Sequence, residues 1–308
     1  MEARDVRPDL VRWHGVLPSE LTDRTEEIRA SDPLNKALAD GDVLVLELLL
    51  ARAGRVNAVT SVATNKDAPE RVMPLALACM LGNLESTRWL LGANADINYR
   101  SSVTRTTPLN FACLGGHSKV VRALIEANAN LDAINKCGET ALHAALRMSS
   151  QSVLADGKAH DECVAALISA GANVNLASRD MGVSPLFVAS AEGQVGLVTS
   201  LLAAQADIDQ ANASGYTALH IACSCPSGRM YGLPTAACIA ALLAAGADYK
   251  IKNKEGMTAL DMAKSPEAGA HDCARLIEGA QPHPGHTQPR PPVLPTNTSL
   301  SVRQMRFW

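Results

Sequence analysis

The chain has 308 residues, 47% of them hydrophobic but only 3% aromatic, with a formal net charge of −3 and a pI near 6.2. No block of Lys and Arg stands out, which excludes the clustered basic footprint of a nucleic-acid binder. No long apolar run occurs and the first residues, "MEARDVRPDLVRW", lack an apolar signal region, so no membrane association is expected, and a cytoplasmic or also nuclear location is.

In chain order, residues 1–31 come first. Their "PSELTDRTEEIRASDP" places Pro18, Ser19, Asp23 and Glu26 as a helix start would, predicting a short capping helix. From Asp32, "DPLNKALADGDVLVLELLLARAGRVN" reads as a helix pair, and "AVTSVATNKDAPERV", 58–72, as a long turn. Then a short string recurs: "MPLALAC" at Met73, "TPLNFAC" at Thr107, "TALHAAL" at Thr140, "SPLFVAS" at Ser184, "TALHIAC" at Thr217 and "TALDMAK" at Thr258. Their second residues stand at 74, 108, 141, 185, 218 and 259, separated by 34, 33, 44, 33 and 41. A period near 33 with two insertions marks an array of stacked repeats.

Each unit carries the same local instructions. Thr140 or Thr217 precedes a run of helix formers, where a hydroxyl caps first-turn N–H groups. Pro74, Pro108 and Pro185 take the next position, where the missing N–H costs nothing. A second helix such as "VVRALIEA" or "ECVAALISA" presents Val, Leu and Ile at three- and four-residue spacing, forming one apolar stripe. Gly171 or Gly246 ends it in the left-handed conformation, and "NKCG" or "NASG" composition predicts a projecting turn. A unit of this kind must stack on its neighbours to bury its faces.

The 33-residue period, the T-P-L-H-x-A string and closing strings such as "LLGANADIN" and "LLAAGADYK" resemble the ankyrin repeat. The fold implied is an all-α solenoid of stacked helix pairs with hairpin-like turns. The array is expected over 32–280, with six recognisable repeats after a degenerate first one, followed by a Pro-rich disordered tail, 281–308. In such proteins the histidine equivalent to His143 and His220 ties one turn to the next by hydrogen bonds. The resemblance also implies hydroxylation at the asparagine of L-x5-D-[VI]-N: Leu90, Asp96, Ile97 and Asn98 fit, and Asn175 fits with Asn173 replacing the aspartate.

Chemistry-bearing patterns are few. Cys79, Cys113 and Cys223 share one repeat position, and Cys163, Cys238 and Cys273 another, which reads as small core residues. Cys137 falls at a turn tip. "HIACSC" offers His220, Cys223 and Cys225 but no fourth ligand at zinc spacing, so no metal and no cofactor is expected. No phosphate-binding loop, H-E-x-x-H or G-x-S-x-G pattern occurs, so no catalysis is expected. The insertions "RMSSQSVLADGKAHD" and "SCPSGRMYGLPTA" read as loops between the two helices of a unit. In the tail, Pro289, Pro292 and Pro295 give P-x-x-P-x-x-P, a ligand pattern for an SH3-type domain.

The function implied by the resemblance is a non-catalytic interaction module that grips a partner protein with its turns and first helices. Matching repeat positions selects Lys136, Cys137, Glu139, Asp180, Met181, Val183, Ser214, Tyr216, Lys254, Glu255 and Met257 on the turns. On the helices it selects Met80, Leu81, Leu114, Arg147, Met148, Glu192 and Ser224. Turns with Gly138, Gly182 and Gly215 in place are expected to carry the main patch, with Tyr216 and Met148 as anchors. Tyr216→Ala is expected to weaken binding without loss of stability; the other location considered is the long first turn with Lys66 and Glu70. A substrate receptor of a ubiquitin ligase is the alternative: "TSLSVRQ" resembles the start of a recruiting box, but too few residues follow it for the box helices.

Overall fold

The computed structural model describes residues 33–44, 56–57, 60–62, 70–151, 157–224, 235–264 and 271–279. The expected N-terminal capping helix and the Pro-rich tail lie outside them. The elements, in order, are α1 (Pro33–Asp40), β1 (Thr60–Val62), β2 (Glu70–Val72), α2 (Pro74–Leu81), α3 (Leu84–Gly92), α4 (Pro108–Leu114), α5 (Ser118–Glu126), α6 (Ala141–Gln151), α7 (Gly157–Ser169), α8 (Pro185–Ala191), α9 (Val195–Ala203), α10 (Ala218–Ser224), α11 (Thr235–Ala244), α12 (Ala259–Ala263) and α13 (His271–Glu278).

The caps explain where the first helices begin. Pro74, Pro108 and Pro185 each open a helix, and the Thr107 and Ser184 hydroxyls accept from the N–H of Asn110 and Phe187. The first helices α1, α2, α4, α6, α8, α10 and α12 pack one on the next in that order. The second helices α3, α5, α7, α9, α11 and α13 do the same, giving two parallel rows.

Close approach within the first row needs small side chains. Ala78 and Cys79, Ala112 and Cys113, Ala145, Ala189, and Ala222 and Cys223 are all fully buried there. Cys163, Cys238 and Cys273 fill the equivalent places in the second row. Burial pushes the Cys79 thiol up to about 12 and that of Cys238 to about 11, so both stay protonated and pack as small apolar groups.

Two expectations need correction. The insertion after Arg147 is not simply a loop: α6 runs 11 residues and α7 runs 13, against 7 and 9 in α4 and α5. Most of the extra sequence extends the two helices, whose added turns continue an existing hydrogen-bond ladder at one bond per residue. The long first turn, too, is not simply a turn. Thr60, Ser61 and Val62 pair antiparallel with Val72, Arg71 and Glu70, a short two-stranded ribbon that suits the β-branched Thr60, Val62 and Val72. Lys66 lies outside the described residues. No helix among the described residues is long and apolar enough to cross a membrane.

Candidate functional site

The hairpins that project from the stack are built by one device. Asn135 accepts at Oδ1 from the N–H groups of Cys137 (3.0 Å) and Glu139 (2.9 Å). Asn212 does so from Ser214 and Tyr216, and Asn253 from Glu255 and Met257. Ser178 and Ser101 replace the amide with a hydroxyl that accepts from Val183 and Thr106. A side chain that satisfies two backbone donors within four residues fixes the turn locally.

Neighbouring hairpins are then bonded tip to tip. The N–H of Lys136 donates to the Thr104 carbonyl (2.8 Å), Arg179 to Cys137 (3.0 Å), Ala213 to Met181 (2.9 Å) and Lys254 to Ser214 (3.1 Å). This approach is why Gly138 is needed: its φ is +78°, and a Cβ there would stand 2.2 Å from the Arg179 nitrogen. Where Arg105 replaces the usual glycine, it adopts φ +56° itself.

At the base of each hairpin runs a second ladder. The side-chain oxygens of Asn57, Asn98, Asp132, Asn175 and Asp209 accept from the N–H of Asp96, Asn130, Asn173, Asp207 and Asp248 in the following repeat, at 2.7–2.9 Å. The two asparagines expected to be hydroxylated, Asn98 and Asn175, are therefore exposed rungs of this ladder. Lys250 takes the equivalent place in the last of these segments, where no acceptor oxygen is available to continue it.

The motif histidines supply a third tie. His143 Nδ1 accepts from the Thr140 N–H (3.2 Å) and lies 2.9 Å from the Thr140 hydroxyl, while Nε2 donates to the Val183 carbonyl one repeat on (3.0 Å). His220 repeats this with Thr217 and the Met257 carbonyl. The ring thus reaches back like the third-residue side chain of a capping box. At Thr258 the same position holds Asp261, which completes a true capping box but has no second arm. His117, His160 and Gln194 donate in the opposite sense, to carbonyls of the preceding first helices: those of Met80 and Leu114 near the helix ends, and that of Leu146 within α6.

Against this framework the expected contact residues divide. Lys136, Asp180, Ser214, Lys254 and Glu255 are exposed on the tips; Cys137, Met181, Met257, Arg147 and Ser224 are half-buried. The Met148 side chain is outside the described set. Five residues are corrected as contact side chains. Glu139 is 4% exposed and pairs with Arg147 at 2.7 Å; Val183 (4%) packs in the core and offers its carbonyl to His143; Glu192 is 6% exposed. Tyr216 is 5% exposed, meets His220 edge-on at 5.9 Å between centroids and donates its hydroxyl to Glu255. Burial, then the Glu255 carboxylate, raises its phenol above the ordinary range. Met80 is buried as well.

This placement reverses the expected effect of truncating Tyr216. Tyr216→Ala should cost roughly 2–4 kcal/mol of stability, as a buried aromatic does, while Tyr216→Phe should cost about 1 kcal/mol or less. Urea unfolding of the two variants checks this; an unchanged midpoint for Tyr216→Ala would restore the surface-anchor reading.

Sequence matching missed Arg179, which is exposed and occupies the same turn position as Lys136 and Lys254. Aligning the turns on Asn135, Ser178, Asn212 and Asn253 finds it, because each turn-building side chain is followed by the tip donor. Among the described residues no group of three or more His, Cys, Asp or Glu could hold a metal ion.

The comparisons agree with the geometry. The family model for ankyrin repeats (three copies) matches residues 75–177, 152–231 and 186–284. The solved human ASB11 ankyrin repeat domain is 28% identical, with TM-score 0.62, over 81% of this chain and 99% of that one. The ankyrin repeat domain of Bcl-3, described as a unique member of the IkappaB protein family, is 26% identical with the same coverage and TM-score. A chain from the complex of the Bd0816 predatory endopeptidase of Bdellovibrio bacteriovorus with immunity protein Bd3460 is 34% identical, with TM-score 0.54, over 67% of this chain and 97% of that one. No curated protein matches the chain. Ankyrin repeats are in general protein–protein interaction modules, and the repeated caps, hairpins and cross-repeat ties make sense as one array: this chain belongs to the ankyrin-repeat family.

Proposed function

We propose that the chain is a non-catalytic scaffold or adaptor that binds a partner protein on the surface formed by its hairpin tips and the adjoining ends of its first helices. One observation carries this reading. The tip-to-tip bonds hold the hairpins of 134–139, 177–183 and 211–216 in fixed register, with Lys136, Asp180, Ser214 and part of Met181 facing outward. A surface already ordered loses little conformational entropy when a partner docks, so more of the contact energy appears as affinity. The half-buried Met181 and Met257 supply adaptable apolar contacts between the polar tips. The buried histidines and Glu139 are committed to the array itself, which leaves them structural rather than chemical roles.

Affinity capture with the full chain, followed by cross-linking and mass spectrometry, tests the reading. Cross-links should concentrate on the three hairpins. Cross-links confined to α5, α7 and α9, or to 58–72, would overturn it.

A further inference from the structure

Lys136, Arg179 and Lys254 share one place on their hairpins. Each directly follows the residue that builds the turn, and each donates its N–H to the preceding tip. Ala213 holds that place on the hairpin between Arg179 and Lys254. The four positions therefore fall in one line, one per repeat, and all four residues are exposed. Among the described residues, none of the three cationic side chains has a hydrogen-bond or ion-pair partner within the array. Arg105 and Lys252, also exposed, extend the basic character at either end.

The carboxylates on the same hairpins are engaged differently. Glu139 is paired with Arg147, Glu255 accepts from the Tyr216 hydroxyl, and Asp180 lies near enough to the Cys137 thiol of the preceding tip to help hold it protonated. Glu139 is thus drawn into the array, while Asp180 and Glu255 stay exposed beside the row, so the hairpin surface carries an excess of cations rather than cations alone. This asymmetry exists in a chain whose formal net charge is −3, so the row is a local departure from the overall sign.

Building on the function proposed above, we propose that this row binds an extended, acidic protein segment. Stacked helices lie about 8–10 Å apart, so the cations repeat at about that pitch. An extended chain advances about 3.3 Å per residue, so every third residue of a bound segment meets one repeat. Acidic residues at the first, fourth and tenth positions would face Lys136, Arg179 and Lys254. The seventh, opposite Ala213, has no cation to meet. A polynucleotide is the less suited occupant: the row is short, and its tips carry no exposed aromatic platform for bases.

The test uses the full chain and fluorescence anisotropy with a labelled synthetic peptide of about twelve residues, carrying Glu in that spacing on a Ser/Gly background. Binding should weaken as salt is raised, since exposed charges are screened over about a Debye length. Reversing the row (Lys136→Glu, Arg179→Glu and Lys254→Glu together) should weaken it about tenfold or more, three exposed pairs of modest strength combined. Ala213→Lys should strengthen binding of a peptide with a further Glu at the seventh position, which guards against a triple variant that loses its fold; circular dichroism checks that directly. No binding by any spaced acidic peptide, equal binding to the triple variant, or equal binding of a permuted peptide with its Glu residues adjacent would overturn the proposal. So would a single-stranded oligonucleotide of equal charge that binds at least as tightly. Should a captured partner protein bind wild type and triple variant alike through the hairpins, the acidic-segment proposal fails and the interaction-module reading stands.

Discussion

His143→Ala should lower the stability of the array by roughly 3–5 kcal/mol, one of the largest losses available from a polar side chain in this protein. The ring is fully buried and makes its bonds in two repeats at once. Truncation strands the buried Thr140 N–H, at about 1–3 kcal/mol, removes one of the two donors to the Val183 carbonyl, which keeps its bond from the Ser178 N–H, and leaves a cavity besides. Because each repeat touches only its neighbours, the loss falls on one interface and should make unfolding less cooperative. His143→Asn separates the two roles. Asn110 already stands at the equivalent position in the repeat before, so an amide there can still reach the cap but not Val183. Its cost should be about half that of alanine, near the value of one buried bond. Urea unfolding followed by circular dichroism measures both; a wild-type midpoint for His143→Ala would show that the inter-repeat tie contributes nothing.

The same chemistry predicts acid sensitivity. His117, His143, His160 and His220 are all shifted below the ordinary histidine value, with burial the first cause in each. At His143 and His220 the hydrogen-bond pattern agrees: Nδ1 faces a backbone N–H and must accept, so a proton there would abut another donor. At His143 the neighbouring Glu139 raises and Arg147 lowers the value, without reversing the direction. The folded state therefore holds these rings neutral, while the unfolded chain takes up protons near pH 6.5. Their stabilisation is complete above that pH and is lost as pH falls below it toward the depressed folded values. Each ring adds a slope of up to about 1.4 kcal/mol per pH unit within its window, all four in the same sense. The carboxyl of Asp261, held low by its bonds from Thr258, acts only in the more acidic range. Thermal melts should thus be level near neutral pH and fall steeply below about 6.5, with a shallower fall in His143→Asn. A melting temperature that holds unchanged to about pH 5 would refute this.

Much of the architecture was legible in the sequence for a local reason. A proline after a cap residue, an apolar stripe at helical spacing and a glycine in the closing turn each act within a few residues, so they can be read without knowing what lies alongside. Their repetition every 33 or so residues then forces stacking, since no unit can bury its own faces. The alanines and cysteines at matching positions signalled a tight core for the same reason. Where the inserted residues after Arg147 went was less legible, because a polar run can either extend α6 and α7 or loop out, and only packing against the neighbouring rows decides.

The sequence by itself thus determined the repeat, its helices, its caps and the position of each hairpin. Only the tertiary structure decided which hairpin side chains are available to a partner. Tyr216 and Lys254 look equally like surface residues in their turns. Yet the groups that cover Tyr216 include Glu255, 39 residues further along the chain, while nothing among the described residues covers Lys254. Exposure at a tip depends on what the next repeat places beside it, and that neighbour is brought close by stacking rather than by sequence.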